Sequence, residues 1–156
     1  MQKKVVIIMG SKSDLEWAKK IETVLHSFDI QVVIRIASAH KVPLKCYEII
    51  KEYEKENLIF ITIAGMSNAL SGFADAQTHC PVIASPPYSD KFGGADIYSS
   101  LRMPSGVAPM TVISPENTAL AAAKIIGLVY PDVQQKIIAF QEKKRAEIEE
   151  ADNEIR

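Results

Sequence analysis

Five short apolar runs punctuate the chain, at residues 5–9, 32–37, 58–64, 82–84 and 110–113. They are rich in Val and Ile and almost uninterrupted by polar residues. That pattern predicts strands covered on both faces, because a sheet with one wet side would alternate apolar and polar positions. Between the runs the period changes. Over residues 14–28, Leu15, Ala18, Ile21, Leu25 and Phe28 recur at three- and four-residue steps, which predicts a helix with one apolar stripe. Ser13 and Glu16 stand at its start with the spacing of a capping box. A second helix is predicted over 44–56, with Pro43 suited to its first turn. A third, around 69–78, is weaker because Gly72 interrupts it. Ser114, Pro115 and Glu116 open a fourth that runs to about residue 129.

The order strand, loop, helix, repeated, predicts a single α/β domain over residues 1–156. Right-handed crossovers would place helices on both faces of a parallel sheet. The expected fold is therefore a three-layer α/β/α sandwich with flavodoxin-like strand order and an extended C-terminal helix over 130–156. In that last helix Val133, Ile137 and Phe140 form a stripe. Beyond Gln141 the chain becomes densely charged, with Ile148 and Ile155 its only large apolar residues. Composition alone leaves two readings of this tail: a solvated, fraying helix, or an arm packed on a neighbouring subunit.

Charge narrows the partners. With 18 basic and 19 acidic side chains the net charge is -1, so no basic excess exists to neutralise a nucleic-acid backbone. The two cysteines, Cys46 and Cys80, build neither a disulfide framework nor a thiolate metal site. The first apolar run is too short for a signal sequence or a membrane span, and a cytoplasmic location is expected.

In an open parallel sheet the ligand lies outside the carboxyl ends of the strands. The first loop there, Gly10-Ser11-Lys12-Ser13-Asp14, carries two hydroxyls and feeds a helix N-terminus, an arrangement suited to a phosphate. It lacks the glycine patterns of dinucleotide sites and the Gly-Lys-Ser/Thr of nucleoside-triphosphate loops. As a bland alternative, Ser13 merely caps the helix and Asp14 merely complements its dipole. The second loop holds Ser38, Ala39, His40 and Lys41. Of the three histidines only His40 is expected at this edge, since His26 lies on a helix flank and His79 precedes the fourth strand. An imidazole beside a cation and a hydroxyl is a candidate general acid/base next to an anion site. The third loop, from Gly65 through Met66, Ser67 and Asn68, is small, polar and uncharged, and suits a neutral ring or a carboxyl group. Helix capping is again the bland alternative for Ser67 and Asn68. The fourth, residues 85–94, is long and stiffened by Pro86 and Pro87, while Gly93 and Gly94 let it fold over a site as a lid, an interface or both.

Taken together these segments resemble the PurE family of purine biosynthesis over nearly the whole chain. The resemblance rests on Gly-Ser-x-Ser-Asp at 10–14, Ser-Ala-His at 38–40, Ala-Gly at 64–65 and Met-Pro-Ser-Gly at 103–106. Ser-Ala-His-Lys at 38–41 and Ser-Asn-Ala-Leu-Ser-Gly at 67–72 resemble the class II type, which joins free CO2 to aminoimidazole ribonucleotide. The rival within the family is the mutase type, which moves a carboxyl group from the exocyclic amine to ring carbon 4. Met66 departs from the class II pattern, which more often has arginine there. The resemblance implies that Ser13, Ser38 and Lys41 hold the 5′-phosphate and Asp14 the ribose hydroxyls, with Ser11 and Ala39 alongside. It implies His40 as the acid/base. Ala64, Gly65, Ser67 and Asn68 would face the imidazole and the incoming carboxyl. It further implies a homo-octamer acting without metal or cofactor on small-molecule substrates, while charge and the short first apolar run speak against nucleic acid and membrane as partners. Two other classes lack their signatures or leave a residue without a role. A phosphoacceptor signalling domain needs acidic residues where Gly10-Ser11 and Gly65-Met66 stand. A non-catalytic nucleotide-binding module would need no histidine.

Overall fold

The apolar runs pair into one parallel sheet in the computed structural model, which describes residues 1–156. Its strands are β1 (Lys4–Met9), β2 (Gln31–Ile36), β3 (Ile59–Ile63), β4 (Val82–Ala84) and β5 (Met110–Thr111), in the order β2-β1-β3-β4-β5. This is the flavodoxin-like order. Val5 pairs with Val32 on one side and Ile59 on the other, so the direction of strand addition reverses beside β1. That reversal opens a crevice at the carboxyl ends of β1 and β3.

Six helices cover the sheet: α1 (Leu15–Ser27), α2 (Pro43–Tyr53), α3 (Ala69–Ala76), α4 (Tyr98–Leu101), α5 (Pro115–Gly127) and α6 (Pro131–Glu154). Alternate residues of the buried strands serve opposite layers. Val5, Ile7, Met9, Ile59, Ile61 and Ile63 pack with Ala18, Ile21, Leu25, Ala122, Ile126 and Val133, which belong to α1, α5 and the base of α6. Val6, Ile8, Phe60 and Val82 pack instead with Ile49, Ile50, Leu70 and Ala74 of α2 and α3. Double-sided burial is why these strands carry no polar alternation.

Several boundaries differ from the pattern's expectation. The last strand ends at Thr111, because its partner β4 has only three residues before Ser85 leads into Pro86-Pro87, where the ladder stops. The capping box sits earlier than Ser13 and Glu16. Ser11 caps a 3-10 turn over Lys12–Asp14, and Asp14 returns the bond, so α1 starts at Leu15 without a side-chain cap. α3 runs unbroken through Gly72. A Cβ there would lie 2.9 Å from Met103 Sδ, so the glycine makes room for the Met103 side chain rather than breaking the helix.

α6 is continuous to Glu154. Val133 and Ile137 are buried, and Phe140 meets Phe28 edge-on at 5.7 Å. From residue 142 onward every side chain is exposed, including Ile148 and Ile155. At 1.5 Å per residue this part projects roughly 20 Å beyond the domain. No helix is long and apolar enough to cross a membrane.

Cys46 lies fully buried on α2, and burial pushes its thiol up to about 11. The thiolate is the reactive form, so Cys46 is expected to ignore a disulfide reagent at pH 8 until the chain unfolds. Counting released chromophore with and without denaturant, after tryptic assignment of the labelled cysteine, checks this.

Candidate active site

Each loop leaving the carboxyl edge is still tied to the sheet as it departs. Gly10 N–H donates to Ile63 O at 2.9 Å, Ala37 N–H to Met9 O at 2.9 Å, and Ser85 N–H to Thr62 O at 2.8 Å. The strands therefore hold the loop bases in register, and the side chains beyond them surround one cavity of about 670 Å³. Every residue singled out from the sequence lines it except Asn68: Ser11, Ser13, Asp14, Ser38, Ala39, His40, Lys41, Ala64, Gly65 and Ser67. The other two histidines lie elsewhere. His26 is exposed on α1, and His79 Nε2 is 3.1 Å from Asn57 Oδ1, beside the opposite end of β3.

The loop after β1 is a closed hydrogen-bonded unit. Ser11 Oγ accepts from Ser13 N–H at 3.2 Å and from Ser13 O–H at 2.9 Å, while Ser11 N–H donates to Asp14 Oδ2 at 3.1 Å. Two hydroxyls thus converge at the entrance to α1. Burial raises the carboxyl of Asp14 above its ordinary value, and the bond from Ser11 N–H opposes that only partly. The sign follows. Above its folded-state pKa the ionised Asp14 costs stability, and that cost is relieved as pH falls through that value toward 3.8. Asp14→Asn, which can still accept from Ser11 N–H, is therefore expected to raise Tm slightly at pH 7. The gain should vanish below pH 4. Thermal melts across pH check it.

The loop after β2 turns tightly. Val42 N–H donates to Ser38 O at 2.9 Å and Lys41 N–H to Ser38 Oγ at 3.3 Å. The turn leaves the His40 and Lys41 side chains exposed on the cavity rim.

Asn68 takes the helix-capping role that stood as the alternative to a ligand-facing one. It is buried; its Oδ1 caps α3 by accepting from Ser71 N–H at 3.2 Å, and its Nδ2 donates to Ser100 Oγ at 2.9 Å. Its N–H donates to Ser99 Oγ at 3.0 Å, and that hydroxyl lies 2.9 Å from Met66 O. The segment carrying Ser99 and Ser100 therefore clamps the loop after β3, in which Met66 holds a left-handed φ of 57°. Asn68 shapes the cavity from behind its wall. Met103 and Gly106 of the Met-Pro-Ser-Gly stretch are likewise structural here: Met103 packs on Gly72, and Gly106 turns the chain with φ 83°.

Sequence reasoning named the fourth loop but no ligand-facing residue on it. Pro87, Tyr88, Ser89 and Lys91 all reach the cavity. Tyr88 meets Trp17 edge-on at 5.2 Å, and Trp17 Nε1–H donates to the buried Ser85 Oγ at 3.0 Å. The only available signal was a lysine in a long loop at the correct end of β4.

The chain as a whole is similar to known proteins. The family model described as AIR carboxylase matches residues 4–147. The phosphoribosylaminoimidazole carboxylase of Archaeoglobus fulgidus is 66% identical, over 98% of this chain and 85% of its own. That of Treponema denticola is 46% identical, over 100% of this chain and 99% of its own. The crystal structure of Treponema denticola PurE superposes with a TM-score of 0.96 at 46% identity, covering 98% of each chain.

Proposed function

Because the chain belongs to the AIR carboxylase (PurE) family of purine biosynthesis, we propose that it joins free CO2 directly to ring carbon 4 of 5-aminoimidazole ribonucleotide. The reaction needs neither ATP nor a cofactor. One observation carries the reading: His40, alone among the histidines, shares a cavity with the phosphate-suited hydroxyls of Ser11, Ser13 and Ser38, the Lys41 ammonium and the uncharged Gly65–Ser67 rim.

The ligand's 5′-phosphate is assigned to Ser13, Ser38 and Lys41, at the entrance to α1 where hydroxyls, a cation and the helix dipole favour an anion. Asp14 takes the ribose hydroxyls. The imidazole then lies over Ala64, Gly65 and Ser67. The ring amine pushes electron density onto carbon 4, which attacks CO2. A carbon–carbon bond forms, and the ring proton at that carbon must leave. His40 accepts it, restoring the aromatic ring. CO2 is small and apolar, so a neutral rim serves it, and holding both reactants together supplies much of the acceleration.

The loop Ser67-Asn68-Ala69-Leu70-Ser71-Gly72 supports the direct carboxylase over the mutase of the same family, through its likeness to the class II pattern. The subunits are assigned to a cytoplasmic homo-octamer in which the projecting end of α6 is the inter-subunit arm. The reading is tested by supplying isotopically labelled CO2 with aminoimidazole ribonucleotide and no ATP. Label in the ring carboxyl is expected; its absence would overturn the assignment.

A further inference from the structure

We propose that Lys91 is a product-selective cation, binding the carboxylate that the reaction creates and so distinguishing the carboxylated ribonucleotide from its precursor. The inference rests on the reaction proposed above. Two lysines line the cavity, Lys41 from the loop after β2 and Lys91 from the loop after β4. The ion-paired lysines of this chain are Lys3, Lys4, Lys19, Lys51, Lys136 and Lys144, so both cavity lysines keep an unneutralised charge. The single carboxylate lining the cavity is Asp14, which follows β1.

The sheet order β2-β1-β3-β4 puts the two cations at opposite ends of the site. Three strand spacings separate the roots of their loops, about 14 Å. A phosphate held by the β1 and β2 loops has Lys41 as its counter-charge. The ring then points toward the β3 and β4 loops, where Gly65, Met66 and Ser67 carry no charge and Lys91 is the only cation. Aminoimidazole ribonucleotide and CO2 are both neutral at that end. Once the carbon–carbon bond has formed and the ring proton has left, the ligand carries one additional negative charge there. An unpaired ammonium binds that charge and has no counterpart for it in the precursor.

The backbone keeps Lys91 on the rim. Its N–H donates to Ser89 Oγ at 3.2 Å, and Tyr88, three residues earlier, is anchored on Trp17. Immediately after it Phe92, Gly93 and Gly94 take left-handed φ values of 56°, 58° and 77°, which reverse the chain and place Lys91 at the bend.

The test measures calorimetric Kd values for the precursor and the carboxylated ribonucleotide at one ionic strength. It uses the wild type, Lys91→Met, Lys91→Arg, and Lys91→Met combined with Met66→Arg. Lys91→Met is expected to lose roughly fivefold in affinity for the carboxylated ligand and under about twofold for the precursor. Lys91→Arg should restore the difference. The double variant should do so too, because residue 66 lines the same cavity. Equal losses for both ligands, or none for either, would overturn the role of Lys91 while leaving the reaction intact. A wild-type protein that binds neither ligand would overturn the reaction and this inference together.

Discussion

Replacing His40 with alanine is expected to lower carboxylation by on the order of a thousandfold or more while the ribonucleotide remains bound. General acid–base groups contribute about 10² to 10⁴ in rate, and His40 is the only histidine on the cavity. Its side chain is exposed, so the substitution removes a proton acceptor without opening a hole in the core. The phosphate contacts assigned to Ser13, Ser38 and Lys41 are untouched, so affinity should change little. Steady-state turnover, paired with calorimetric binding of aminoimidazole ribonucleotide, measures both quantities on one preparation. Turnover within a few-fold of wild type would remove His40 as the base. Lost binding with residual turnover would recast it as a ligand anchor.

If the proposed octamer is built through α6, Ile148→Glu combined with Ile155→Glu is expected to break it into smaller species without unfolding the subunit. Both isoleucines stand on the projecting part of α6 and are largely exposed, at 72% and 85%. In that octamer each isoleucine buried against a neighbour would contribute about 1.5–3 kcal/mol in every subunit, whereas a buried glutamate would carry a desolvation penalty instead. The subunit's own core uses Val133, Ile137 and Phe140 from the same helix, and these are unchanged. Light scattering should therefore report a lower mass with an unaltered far-ultraviolet dichroism spectrum. An unchanged mass would return the tail to the solvated-helix reading.

Much of this architecture is legible in the sequence because burial on two faces leaves a strong mark. Runs such as Val5-Val6-Ile7-Ile8-Met9 admit few readings besides a central parallel strand, and the carboxyl edge follows from the strand–helix alternation. What escapes is whatever depends on partners far along the chain. Ser13 and Glu16 satisfy the spacing of a capping box, and so do Ser11 and Asp14. Only the 3-10 turn between the strand and α1 decides for the latter pair. Asn68 has the chemistry of a ligand residue, but Ser99 and Ser100, some thirty residues away, claim its donors. Gly72 looks like a helix breaker until Met103 is seen against it. Lys91 is one unremarked lysine in a long loop until the left-handed bend at Phe92 holds it on the rim. Local spacing reveals elements and candidate chemistry, whereas the division of polar residues between site and scaffold is a tertiary outcome.

In the proposed reaction CO2 itself, and not a carbamate on the exocyclic amine, is the carboxyl donor. This is tested most directly by measuring formation of the ring-carboxylated ribonucleotide, without ATP, from two starting mixtures. One supplies aminoimidazole ribonucleotide with dissolved CO2; the other supplies the preformed carbamate while free CO2 is scavenged. Rapid turnover is expected in the first and little in the second, with Met66 tolerated in place of arginine. Rapid turnover from the carbamate with little from CO2 would contradict the proposed reaction and make this chain a mutase.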